Sequence, residues 1–152
     1  MNIWIDADAL PAAIRDILVR AAMRLKITAT FVANKNLTLP VSPHLAFLRV
    51  GHGFDVVDET IAGLVAPGDL VVTADIPLAA KVIERGGFGL NPRGELYTTE
   101  NIGARLTMRN MLDELRSSGV VTGGPAPLSL ADRNAFANQL DRFLSTPRPS
   151  CP

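Results

Sequence analysis

The sequence predicts an α/β fold in which a parallel sheet of about five strands carries helices on both faces. Short apolar runs alternate with segments whose apolar residues recur at helical spacing, which is typical of a doubly wound sheet. The runs are hydrophobic on both faces, as expected for buried parallel strands. With 152 residues, 47% of them apolar, the chain is long enough for one domain with a proper core.

The first half of the chain contains three predicted strands and two predicted helices. Each strand is a short apolar run closed by turn residues, and each helix has an apolar face. Pro11 stands where the first turn of a helix tolerates proline, and Pro67-Gly68 ends the second helix. The predicted elements are strand 3–5, a helix ending at residue 25, strands 27–33 and 47–50, and helix 58–65.

The second half contains two predicted strands and three predicted helices. Ser129 is typical of a helix N-cap, and Asp132 three residues later approximates a capping box. The proline-rich residues 146–152 are predicted to be a flexible tail, which leaves a single domain over residues 1–145. The predicted elements are strand 70–73, helix 77–84, strand 88–90, a helix over about 102–118, and a last helix after Ser129.

Composition excludes several classes of protein. Lys and Arg together number 15, as do Asp and Glu, so the formal net charge is zero and no strong overall field indicates a nucleic-acid partner. The lone cysteine, Cys151, excludes an internal disulfide framework and a cysteine-based zinc site. No signal-type segment or membrane-spanning apolar stretch is evident, so we expect a cytoplasmic protein with no membrane partner.

Acidic residues stand at the ends of two predicted strands. Asp6 and Asp8 follow the first strand, and Asp75 follows the fourth. Ligands of parallel sheets bind beyond the carboxyl ends of the strands, so the three carboxylates would share one crevice if these strands are neighbours. We therefore predict that the first strand lies beside the fourth. Carboxylates crowded together repel one another and persist most easily around a divalent cation. Thr73 is placed to orient Asp75 from behind the site.

Polar residues also follow the second and fifth strands at the same expected edge of the sheet. Asn34 and Lys35 follow strand two, and Asn91 and Arg93 lie in the loop after strand five. These side chains could bind the phosphates of a substrate. They could equally hold their own turns together.

Six stretches of the sequence form recognisable motifs, namely W-I-D-A-D, V-A-N, D-E-T-I, G-D-L-V-V-T-A-D-I-P-L-A, N-P-R-G-E-L-Y and T-G-G-P. Together they resemble the motifs of the YaiI/YqxD family, a bacterial family considered related to PIN-like nuclease domains. The resemblance covers nearly the whole chain, through about residue 144. The family's first motif usually reads D-A-D-A-C-P, and Leu10 replaces its cysteine here, so a thiol role is not available at that position.

The resemblance implies a PIN-like, Rossmann-like domain and a metal-dependent nuclease acting on RNA or single-stranded nucleic acid. The metal-site carboxylates of PIN-like domains correspond to Asp6, Asp58 and Asp75, and Asp8 adds a fourth. Two hard cations held by such carboxylates can activate water and stabilise a leaving oxygen, which is the chemistry of phosphodiester hydrolysis. Mg²⁺ or Mn²⁺ would be the cofactor, since both prefer oxygen ligands.

Other interpretations of the same residues remain open. Asp8, Asp58 and Asp75 could each be a helix N-cap, while Asp69 enters its strand and is expected to be a turn residue. The Asp6-x-Asp8 pair also resembles the nucleophile motif of haloacid-dehalogenase-type phosphatases, in which Asp6 would attack phosphorus. A further alternative is a non-catalytic PIN-like module that binds a metal or RNA.

Overall fold

The computed structural model describes residues 1–8, 10–53, 55–119 and 127–145. Within them a six-stranded sheet is accompanied by five helices. The predicted tail, residues 146–152, lies outside the described residues. In chain order the elements are β1 (Asn2–Asp6), α1 (Ala12–Leu25), β2 (Thr28–Ala33), β3 (Leu45–Arg49), α2 (Val56–Leu64), β4 (Leu70–Val72), α3 (Ile76–Glu84), β5 (Phe88–Leu90), β6 (Leu96–Tyr97), α4 (Ile102–Ser117) and α5 (Leu130–Ser145).

The strand order in the sheet is β3-β2-β1-β4-β5-β6. β1 pairs in parallel with β2 on one side and with β4 on the other, which confirms that the first and fourth strands are neighbours. The order therefore reverses direction between β1 and β4. In open α/β sheets this reversal opens a crevice at the carboxyl ends of the strands, where ligands bind.

The prediction of an all-parallel, five-stranded sheet was incomplete. The five predicted strands are parallel, but β6 adds a sixth that pairs antiparallel with β5. A two-residue strand is too short to show an alternating pattern in the sequence. The tight turn before it, in which Asn91 N–H donates to the Glu95 carbonyl over 2.8 Å, brings the chain back along β5.

The sheet separates two hydrophobic clusters, so helices cover both of its faces as predicted. Alternate residues of a strand face opposite sides, and in β1 Ile3 and Ile5 join one cluster while Trp4 packs against the other. The larger cluster includes α1 and α5, with Ile14, Leu18, Phe136 and Leu140 fully or almost fully buried. The smaller cluster includes α2 and α3, with Val57, Ile61, Leu78 and Val82 buried.

The turn between β5 and β6 holds the last helix against the sheet. Arg93 in this turn forms a 2.7 Å ion pair with Asp132 in the first turn of α5. Gly94 lies against the backbone of Ala135, and a Cβ at Gly94 would stand only 2.6 Å from the Ala135 carbonyl carbon. Gly94 also has φ +93°, which favours glycine. The first turn of α5 therefore lies at the carboxyl edge of the sheet.

Asp69 lies at the opposite, amino edge and is almost fully buried. Its carboxylate accepts three hydrogen bonds of 3.0 Å, from the backbone N–H groups of Asn2 and Ala66 and from the Trp4 indole. The expected turn residue thus also joins the start of β1 to the loop before β4. It takes no part in the crevice at the other edge.

The described helices are all too short or too polar to cross a membrane.

Candidate functional site

The four predicted carboxylates line one cleft at the crevice between β1 and β4. Asp6, Asp8, Asp58 and Asp75 border a space of about 270 Å³, together with Asn34 and residues of the segment before and within α2. Asp6 ends β1, Asp8 follows it, Asp58 lies in the first turn of α2 and Asp75 precedes α3. Elements far apart in the sequence therefore bring their negative charges to one place.

Asp6 is a half-buried carboxylate at the end of β1. The Thr73 hydroxyl, which is almost fully buried, donates a 3.0 Å hydrogen bond to one Asp6 oxygen. Burial raises the pKa of Asp6; the Thr73 hydrogen bond lowers it, and the nearby charges of Asp75 and Asp8 raise it further. The Thr73 hydroxyl also accepts a hydrogen bond from the Asp75 N–H at 3.0 Å, so Thr73 links both strand ends.

Asp75 is both a helix cap and a wall of the cleft. One of its oxygens accepts a 2.9 Å hydrogen bond from Leu78 N–H, which confirms the N-cap interpretation for α3. Burial, the negative charge of Asp75 and a hydrogen bond shared with its side chain raise the pKa of Asp58 to about 7. Asp58 therefore keeps its proton in a substantial fraction of molecules near neutral pH, because its ionised form would lie beside the negative charge of Asp75.

Asp8 is held against the neighbouring strand. Both of its oxygens accept from the backbone N–H of Asn34, at 3.0 and 3.2 Å. The interpretation of Asp8 as the cap of α1 was wrong, because Pro11 occupies the cap position without a side-chain hydrogen bond. β2 ends beside β1 in the sheet, so the Asn34 N–H lies within hydrogen-bond distance of the Asp8 carboxylate.

Asp55 is a fifth carboxylate in the cleft that the sequence analysis did not identify. It occupies the N-cap position of α2, so the interpretation of Asp58 as that cap was wrong. Asp55 has φ 64° and ψ 11°, a left-handed conformation that is costly for residues other than glycine, and its side chain caps nothing. The sequence signal for this conformation is weak: Asp tolerates it better than most residues other than glycine do.

The remaining predicted residues have different surroundings. Asn34 lines the cleft, whereas Lys35 is exposed and does not line it. The Asn91 side chain accepts from Arg93 N–H at 2.7 Å and donates to the Tyr97 hydroxyl at 2.9 Å. Together with the ion pair of Arg93 to Asp132, these contacts hold the turn and the last helix in place. Neither Asn91 nor Arg93 lines the cleft.

The donor atoms around the cleft are almost all carboxylate oxygens, which suit hard divalent cations rather than soft ones. Nevertheless, within the described ranges no three or more His, Cys, Asp or Glu side chains are arranged to hold a metal ion. The roles of these carboxylates as metal ligands or catalytic groups therefore stay predictions.

Comparison with known proteins identifies the family. The sequence model of the YaiI/YqxD family, described as uncharacterized, matches residues 4–146. The chain belongs to the YaiI/YqxD family. The match includes all of the carboxylates that line the cleft. No solved structure matches the protein.

Several relatives match this YaiI/YqxD family protein over nearly its whole length. A UPF0178 protein of Solidesulfovibrio magneticus is 65% identical over 144 residues, which are 95% of this chain and 96% of that protein. UPF0178 proteins of Dechloromonas aromatica and Shewanella amazonensis are 61% and 58% identical, each over 95% of this chain and 97% of their own length. These names assign no activity.

Proposed function

We propose that the protein is a divalent-metal-dependent nuclease with a PIN-like fold that acts on RNA or single-stranded nucleic acid. One observation carries the proposal: four carboxylates from separate elements line one cleft at the strand-order reversal of a parallel sheet. This location is where open α/β sheets bind their ligands. The resemblance to PIN-like domains adds the substrate class, RNA or another single strand.

The residues fit Mg²⁺ or Mn²⁺ in their chemistry. The cleft offers oxygen donors from Asp6, Asp8, Asp58 and Asp75, and hard cations bind through a few carboxylates while keeping several waters. Bound cations would supply charge neutralisation of the phosphate and an activated water. The raised pKa of Asp58 supports this fit, because the proton on Asp58 would be exchanged for a cation.

The chain's own residues hold the site in shape. Thr73 fixes one oxygen of Asp6 and the backbone of Asp75 at the same time, so the two acids are oriented together. The Asn34 N–H restrains Asp8, and the cap to Leu78 N–H leaves the second oxygen of Asp75 for the cleft. Such buried supports are what keep ligand side chains oriented.

Cleavage of single-stranded RNA by the purified protein in the presence of Mn²⁺ tests the proposal. Wild type should cut, and Asp6→Asn should lose nearly all activity because a group needed in the transition state is removed. Glu84→Gln, which neutralises an exposed acid at the end of α3 away from the cleft, is the control and should cut as wild type does. Equal cleavage by wild type and Asp6→Asn would mean that a contaminating nuclease is responsible.

A non-catalytic metal- or RNA-binding module is the second candidate. It is favoured by the finding that, among the described residues, no three potential ligands form a ready metal site. Bound metal without cleavage of any nucleic acid would support this candidate.

The phosphatase alternative would require a trapped phospho-aspartate on Asp6, which mass spectrometry can detect.

A further inference from the structure

The zero net charge of the chain conceals a separation of charge. Five of the 15 acidic residues line the cleft, namely Asp6, Asp8, Asp55, Asp58 and Asp75. The rest of the chain therefore carries ten acidic and 15 basic residues, a formal charge of about +5. Because an acidic cleft repels a polyanion, a nucleic-acid ligand would need positive charge close to the cleft to be held there.

A groove between α1 and α5 provides such charge. Two adjoining cavities, of about 230 and 360 Å³, share Ile17, Arg20 and Ala137 and so form one continuous groove along the two helices. Ile17 and Ala137, both half-buried, line it together with arginines from both helices: Arg20 and Arg24 on α1, and Arg133 on α5.

Two of these arginines are available to a ligand. Arg20 is exposed, and among the described residues its guanidinium donates to the Asp16 carbonyl of its own helix alone, over 3.3 Å. Arg133 is exposed as well, and its guanidinium has no hydrogen bond or ion pair with any described residue. Arg24 differs, because it is paired with Asp141 at 2.6 Å. Arg24 and Asp141 neutralise each other, and Asp16 offsets the charge of one of the two remaining arginines. The groove therefore keeps a net positive charge.

The groove begins at the same edge of the sheet as the cleft. Its first residues, Ala13 and Leu130, lie in the first turns of α1 and α5. α1 starts just after the carboxyl end of β1, and the first turn of α5 is held to the turn after β5 by Arg93 and Asp132. A strand leaving the cleft over the β1–α1 connection would therefore enter the groove at Arg133 and reach Arg20 next.

We propose that this groove binds the sugar-phosphate backbone of single-stranded nucleic acid, with Arg20 and Arg133 contacting successive phosphates. The choice of ligand rests on the proposed function. Guanidinium groups suit phosphate because they donate in a planar fork. Both residues contact only the backbone, so the binding they supply is independent of base sequence.

Fluorescence anisotropy of a labelled oligouridine, measured with EDTA present and over a series of salt concentrations, tests the groove without any need for cleavage. The variant is Arg20→Ala combined with Arg133→Ala; both positions are exposed helical sites that accept alanine. The control is Arg85→Ala, which removes an exposed arginine at the end of α3, on the opposite edge of the sheet.

The double variant should bind about 10- to 30-fold more weakly than wild type near about 0.1 M salt. The slope of log affinity against log salt should fall by about 1.4, since each lost single-strand phosphate contact accounts for about 0.7. Arg85→Ala should bind as wild type does. Unlabelled oligouridine should displace the probe, and polyglutamate should not.

Three results would overturn the inference: equal binding by the double variant and wild type, an equal loss in Arg85→Ala, or no binding of oligouridine by wild type at low salt. Displacement by polyglutamate would assign the groove to an acidic protein instead. Failure of the nuclease proposal would look different, because cleavage would be absent while the groove-dependent binding in EDTA remained.

Discussion

Replacing Asp58 by asparagine should stabilise the protein at neutral and alkaline pH. The pKa of Asp58 rises from 3.8 to about 7 in the folded state, mainly through burial and the charge of Asp75. The folded state therefore binds a proton between about pH 4 and 7 that the unfolded state has released. Stability consequently falls as pH rises through this range, and the full cost of ionising Asp58 is present above about pH 7.

The magnitude follows from the change in proton affinity. The rise of the Asp58 pKa from 3.8 to about 7 limits the loss of folding free energy to at most about 4 kcal/mol, because one pKa unit corresponds to about 1.4 kcal/mol. Asp58 is only partly buried, so solvent screening reduces the effect to about 1–2 kcal/mol. For a domain of this size, that gain raises the melting temperature of Asp58→Asn by roughly 3–6 °C at pH 8.

Urea denaturation at pH 4.5 and pH 8, followed by the fluorescence of Trp4, the lone tryptophan, measures this effect. Urea is preferable to guanidinium, which as a salt would screen the carboxylates. Glu59→Gln makes the same charge change at the next, exposed residue of α2 and should leave the pH dependence unchanged. The reasoning is refuted if Asp58→Asn is no more stable than wild type at pH 8, or if it gains equally at pH 4.5.

Three further predictions concern other positions of the fold and site. Millimolar Mn²⁺ should raise the melting temperature of wild type but not of Asp75→Asn, because asparagine keeps the cap to Leu78 N–H while losing the charge. An equal rise in both proteins would show that Asp75 is not needed for metal binding. Asp69→Ala should cost about 3 kcal/mol or more in urea denaturation, since three N–H groups lose their acceptor, and a cost below about 1 kcal/mol would contradict this. Asp55→Gly should stabilise by about 0.5–1 kcal/mol by relieving the left-handed backbone, and a loss of stability would show that the Asp55 side chain makes a contact of its own.

Much of the fold could be predicted because the buried strands are strongly apolar. Strand 88–90 was predicted to the residue, and the other boundaries differ by no more than about two residues, where turns and first helical turns have weak signals. The pairing of β1 with β4 was inferred from the acidic ends of both strands. β6 was missed because its two residues form a strand only through the β5 edge that they pair with.

The candidate site could be predicted in part, for a similar reason. Carboxylates at strand ends are predictable, since the topology of a parallel sheet brings those ends together. Asp55 was missed because it enters the cleft through a left-handed turn rather than from a strand. Arg93 was expected near a phosphate, but its partner Asp132 is 39 residues away, and no local pattern reveals such a long-range ion pair.

The position of α5 has a consequence for how the protein folds during synthesis. Phe136, Leu140 and Phe143 complete the larger hydrophobic cluster, in which Ile3 and Ile5 of the first strand are fully buried. A nascent chain that has reached only α4 therefore lacks the helix that covers this side of its central strand. Until residue 143 has left the ribosome exit tunnel, that apolar surface remains open to chaperones and to other chains.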